Sequence, residues 1–132
     1  MVAGPARIAR LVGVYDADHT LRGELTYWIG ARLGRAHCSL CDITHGTFRE
    51  RRDWQECRSA LPIRFDAFHR DDQPPAVRAA TGNAAPVVVA ETTDEIVVLL
   101  GPADLEACAG SPATLVDRLE AAAGARGLAW TA

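Results

Sequence analysis

Pro86-Val87-Val88-Val89-Ala90-Glu91-Thr92-Thr93-Asp94-Glu95-Ile96-Val97-Val98-Leu99-Leu100 is the stretch on which the fold turns. Two apolar runs rich in β-branched residues flank a short polar turn. That pattern predicts two adjacent strands joined as an antiparallel hairpin. Pro86 opens the first of them, and Thr92-Thr93-Asp94 reverses the chain. Just beyond, Pro102 begins a short helix. Ser111-Pro112 then supplies an N-cap and a proline at the first turn of a last helix, with Leu115, Val116 and Leu119 facing inward.

Upstream, residues 8–15 (Ile-Ala-Arg-Leu-Val-Gly-Val-Tyr) read as a first, largely buried strand. Asp16-Ala17-Asp18-His19 forms a polar turn, with Thr20 as N-cap. Leu21, Leu25, Trp28, Ile29 and Leu33 keep helical spacing, and Gly34 stops the helix they predict. A Cys-rich segment follows. Thr47-Phe48-Arg49-Glu50 has capping-box form and predicts a helix running to about Ala60. Ile63 to Phe68 reads as a second strand. Arg70 to Pro75 is a turn, and a short helix ends at Gly82.

The order is therefore β-α-(α)-β-α-β-β-α. Together with Pro86 just before the third strand, this order resembles the thioredoxin-like superfamily over roughly residues 7 to 123. The resemblance implies an α/β three-layer sandwich around a four-stranded mixed sheet, a single domain over residues 1–132, and a cis-proline at Pro86. In that family a Cys pair opens the first helix. Here that place holds Asp16-Ala17-Asp18-His19, and the Cys pair follows the helix. A helix of about 14 residues is ~21 Å long. It predicts that Cys38 lies at the opposite end of the sheet from Asp16 and Pro86, unless the Cys segment folds back.

Composition bounds the function. The 132 residues suffice for one domain with a real core, and 48% hydrophobic content describes a globular chain. No apolar run approaches the ~18 residues of a membrane span. Met1 to Arg10 lack the apolar block of a signal peptide, so a cytoplasmic location is expected. There, four Cys are more readily reduced, metal-bound or redox-active than locked in structural disulfides. A net charge of −3 gives no basic footprint for nucleic acid. Lysine is absent, which removes Schiff-base chemistry.

Chemistry concentrates in His37-Cys38-Ser39-Leu40-Cys41-Asp42-Ile43-Thr44-His45. Cys-x-x-Cys serves both soft metals and disulfide exchange. If residues 38 to 45 are helical, Cys38, Cys41 and His45 fall at i, i+3 and i+7 and share one face. Disulfide exchange needs no His there, whereas a metal site needs a third donor. These three residues are the candidate ligands, zinc being the first metal and copper or iron compatible with the same donors. The fourth ligand is His37, a distant residue such as His19 or His69, water, or a group from a second chain, so a homodimer is an open option. The alternative is a thiol–disulfide oxidoreductase, with Cys38 as nucleophile and Cys41 resolving.

A third reading starts from Val14-Tyr15-Asp16-Ala17-Asp18-His19-Thr20-Leu21. It resembles the first motif of haloacid-dehalogenase-like phosphatases. That resemblance implies Asp16 as nucleophile, Asp18 as acid/base and Mg²⁺ between them. If the metal is only structural, Asp16, Asp18 and His19 near Pro86 form the second candidate site. Cys57 and Cys108 sit on apolar helical edges and read as core residues.

Overall fold

The computed structural model describes residues 6–15, 39–44 and 51–130. The chain forms an α/β fold built on a mixed four-stranded sheet. In chain order the elements are β1 (Ala6–Arg7), β2 (Arg10–Tyr15), α1 (Ser39–Thr44), α2 (Arg52–Ala60) and β3 (Phe65–His69). They continue with α3 (Pro75–Thr81), β4 (Val87–Glu91), β5 (Ile96–Leu100), α4 (Pro102–Ala107), α5 (Pro112–Ala125) and β6 (Leu128–Ala129).

The sheet order is β3-β2-β4-β5. β2 pairs parallel with β3, from Leu11↔Phe65 to Tyr15↔His69. It pairs antiparallel with β4, from Arg10↔Glu91 to Val14↔Val87. The expected hairpin joins β4 to β5, and its turn closes through the Thr92 N–H donating to the Glu95 carbonyl at 2.9 Å. The Ala85–Pro86 peptide is cis.

Strand periodicity sorts the core into two layers. Leu11 and Tyr15 face one side of β2 and pack with Leu40, Ile43, Trp54, Leu115 and Leu119 of the helices there. Val12 and Val14 face the other side and pack with Val87, Val89 and Val77 of α3. Burial on both faces explains why β2 and β4 read as nearly unbroken apolar runs.

The helix ends follow local chemistry. The Thr114 N–H donates to the Ser111 hydroxyl at 3.2 Å, the expected N-cap of α5. Gly82 closes α3 with φ +64°, a left-handed conformation suited to glycine.

Three expectations need correcting. The first strand is shorter than residues 8–15. Ala6–Arg7 separates as β1, which pairs parallel with β6 near the C-terminus. Two-residue strands have too little periodicity to be read locally. The second strand ends at His69, not Phe68, because Tyr15↔His69 extends the parallel pairing. The helix expected from Thr47 begins at Arg52. Arg51 is extended, and its guanidinium holds Asp53 at 2.6 Å and the Gly110 carbonyl at 2.6 Å. The Thr47–Glu50 box lies outside the described residues, as does the helix expected between Thr20 and Leu33.

Candidate functional site

The Cys-rich segment forms a helix over Ser39–Thr44, part of the stretch for which helix was the condition of the shared-face argument. Leu40, Ile43 and Thr44 fall at i, i+3 and i+4, and all three are fully buried. Leu40 lies over the middle of β2. A Cβ placed on Gly13 would stand 3.2 Å from Leu40 Cδ2 and 2.9 Å from Phe65 Cζ. Glycine at position 13 therefore gives α1 its seat on the sheet.

At the other end of α1, the Thr44 hydroxyl is 3.1 Å from the Tyr15 hydroxyl and 3.1 Å from the Leu40 carbonyl. The Arg51 N–H donates to the Thr44 carbonyl at 2.7 Å, bringing the chain back to this helix before α2 starts. Tyr15 is the last residue of β2 and the sequence neighbour of Asp16. Gly13 leaves room for Leu40 and Tyr15 offers a hydroxyl to Thr44, so α1 lies over β2 with its last residue at the Tyr15 end. The expected separation of Cys38 from Asp16 and Pro86 falls on residues outside those described.

Several polar groups collect at this end. Tyr15 and His69 are register partners, with ring centroids 5.5 Å apart. The His69 N–H donates to Asp72 Oδ1 at 2.5 Å, and His69 Nδ1 lies 3.6 Å from Asp72 Oδ2. Val14 pairs with Val87, so Pro86 enters the sheet at the level where β2 ends. In chains with parallel strands, ligands gather at the carboxyl ends of those strands, here the ends of β2 and β3.

The candidate residues divide as follows. Cys41 stands in α1. His37, Cys38, His45, Asp16, Asp18 and His19 lie outside the described residues. Among the described residues, no three His, Cys, Asp or Glu side chains group as a metal would require. Cys108 is buried in the core as expected, and burial pushes its thiol pKa up. Cys57 is half-buried on α2 and borders a cavity of about 300 Å³ with Leu61, Val116 and Trp130.

Sequence reading missed a second polar cluster, at the opposite end of the sheet. Arg10 Nη1 donates to Asp66 Oδ2 at 2.8 Å, and Arg10 Nε donates to Glu91 Oε1 at 2.5 Å. Its guanidinium carbon also lies 5.5 Å from the Phe68 ring centroid. Partial burial alone would raise the Asp66 pKa. Hydrogen bonds from Arg10 and Arg64 outweigh burial and lower it. The same partners hold Arg10 firmly protonated. No local signal marks this cluster, since its members are 25 and 56 residues apart along the chain and meet only through strand pairing.

No family model, curated protein or solved structure matches the chain. Among the described residues, no helix is long and apolar enough to cross a membrane.

Proposed function

We propose that the chain is a thioredoxin-like domain that binds a transition metal, zinc first, through Cys38, Cys41 and His45, with His37 alongside. The observation that carries this reading is α1 itself, whose buried stripe is Leu40, Ile43 and Thr44. At about 100° per residue, a helix continued over positions 38 to 45 would carry 38, 41 and 45 on a different side from that stripe. One further residue of helix at each end would align the three donors with each other. Thiolates and imidazole suit tetrahedral zinc, and copper(I) or iron accept the same set. When bound, the metal would either brace this segment or act as a Lewis acid.

The test is metal content per chain in protein purified without added metal, with thiol counts before and after chelation. Cys41→Ser is expected to remove most of the metal, and Cys57→Ser to leave it unchanged. Equal metal in both variants rejects the ligand assignment.

A second reading is thiol–disulfide exchange at Cys38 and Cys41. It is supported by the sheet order β3-β2-β4-β5, the cis Ala85–Pro86 peptide and the contact of α1 with Tyr15. The same thiol counts separate the two. A metal site frees thiols on chelation, and a redox pair frees them on reduction.

A further inference from the structure

We infer, on the reading that Cys38, Cys41 and His45 hold a metal, that Arg51 is a positioning residue for that site. It sets the end of α1 against the turn between α4 and α5. α1 has six residues, too few for a helix to stand without tertiary support. The last carbonyls of a helix have no partner inside it. The Arg51 N–H donates to one of them, the Thr44 carbonyl, at 2.7 Å. The Arg51 carbonyl accepts from the Gln55 N–H at 3.0 Å, which opens α2. The main chain of this one residue thus joins the end of α1 to the start of α2.

Its side chain fixes where that junction stands. Nε and Nη2 donate to Oδ1 and Oδ2 of Asp53 at 3.1 and 2.6 Å. Asp53 Oδ1 also accepts from the N–H of Trp54, whose ring is buried in the core. Nη1 donates to the Gly110 carbonyl at 2.6 Å. One guanidinium therefore links the first turn of α2 to the α4–α5 turn. Arginine makes such a link because its donors form a rigid fork.

The α4–α5 turn has an unusual backbone. The Ser111 N–H donates to the Cys108 carbonyl at 3.1 Å. Both residues between them are left-handed, Ala109 at φ +51° and Gly110 at φ +75°. Glycine adopts that conformation freely and alanine does not. A strained residue persists where its surroundings over-determine it. Here they are the buried Cys108, the Ser111 cap of α5, and Arg51 on the Gly110 carbonyl. α4 also packs against α1. A shift of this turn therefore moves both a neighbour of α1 and the residue that caps it.

Cys41 lies in α1, and His45 follows Thr44 directly. Donors on so short a helix keep a tetrahedral set only while the helix is held. Groups that hold metal ligands from behind change affinity by about 10- to 100-fold.

Zinc affinity of the reduced full chain, measured by competition with a chromophoric chelator, tests this. Arg51→Ala is expected to weaken zinc binding at least about tenfold at a temperature where the variant is fully folded. Arg51→Lys keeps the charge and the reach to one acceptor but not the fork, so its affinity should fall between. It carries the test if Arg51→Ala does not fold. Adding Ala109→Gly to Arg51→Ala relieves the left-handed strain and raises thermal stability without restoring the link, so affinity should stay low. Affinity that returns together with stability overturns the inference. So does zinc binding by Arg51→Ala equal to that of the parent, and either result leaves the metal reading standing. A parent chain that takes up no zinc overturns both.

Discussion

At the end of the sheet where β2 begins, Arg10 bonds both Asp66 and Glu91 and lies against Phe68. At the end where β2 stops, Tyr15 meets His69 on β3 and Thr44 on α1, and the chain runs on into Asp16. The first cluster joins three adjacent strands. The second joins two strands to a helix from the Cys-rich segment. Ion pairs that close on one another brace a sheet, so the Arg10 end is the one on which stability should depend. The Tyr15 end is the one that holds α1, on which the proposed metal site rests.

Gly13 sets where the helix of the second end can sit. Gly13→Val puts side-chain carbon where Phe65 Cζ and Leu40 Cδ2 already approach. Overpacking of this kind costs about 3 kcal/mol. Because α1 must lift to make room, thiol accessibility in the Cys-rich segment should rise even in conditions where the sheet stays folded. Denaturant unfolding and thiol labelling measure the two effects. Loss of stability with unchanged labelling would mean that α1 does not depend on this seat.

The Arg10 end should respond in stability alone. Arg10→Ala strips partners from two carboxylates that are each about one-fifth exposed, 21% for Asp66 and 22% for Glu91. Asp66 keeps Arg64, but Glu91 loses its guanidinium, and a loss of that kind in such a setting costs about 2 kcal/mol. Arg64→Ala is the control. Its side chain is 74% exposed, and surface pairs of this type contribute about 0.5 kcal/mol or less.

The pH dependence has a definite sign. The Asp66 carboxyl is held below its ordinary value of 3.8 in the folded chain. The stabilisation it provides is complete above that value and disappears as pH falls through the lowered pKa. Acid unfolding of Asp66→Asn should therefore be less steep than that of the parent in this window. Identical acid profiles would remove Asp66 from the brace.

What could be read from the sequence followed from locality. The β4–β5 hairpin, the Ser111 cap and the Gly82 stop each depend on residues within a few positions of one another, and each matched expectation. The helix at Ser39–Thr44 entered only as a condition of the ligand argument, and its seat on the sheet was not legible. It depends on a missing side chain at Gly13 and a hydroxyl at Tyr15, each more than two dozen residues from its partner on α1. Local periodicity carries no record of either. The second strand read only to Phe68 because the strand character of His69 comes from pairing with Tyr15, not from its own neighbours.

Tyr15→Phe isolates the tie between α1 and the sheet. It removes one hydroxyl, leaves the ring against His69, and should cost about 1 kcal/mol through the lost bond to Thr44. That is less than the expected cost of Arg10→Ala. The variants should reverse in rank when bound metal per chain or thiol reactivity is measured. Tyr15→Phe frees the end of α1 that leads directly into His45, whereas Arg10 lies on the opposite face and at the opposite end of the sheet. If both variants change the thiols equally, or only Arg10→Ala does, the sheet transmits strain as one body. The separation of a brace from the end that holds α1 would then have no physical basis.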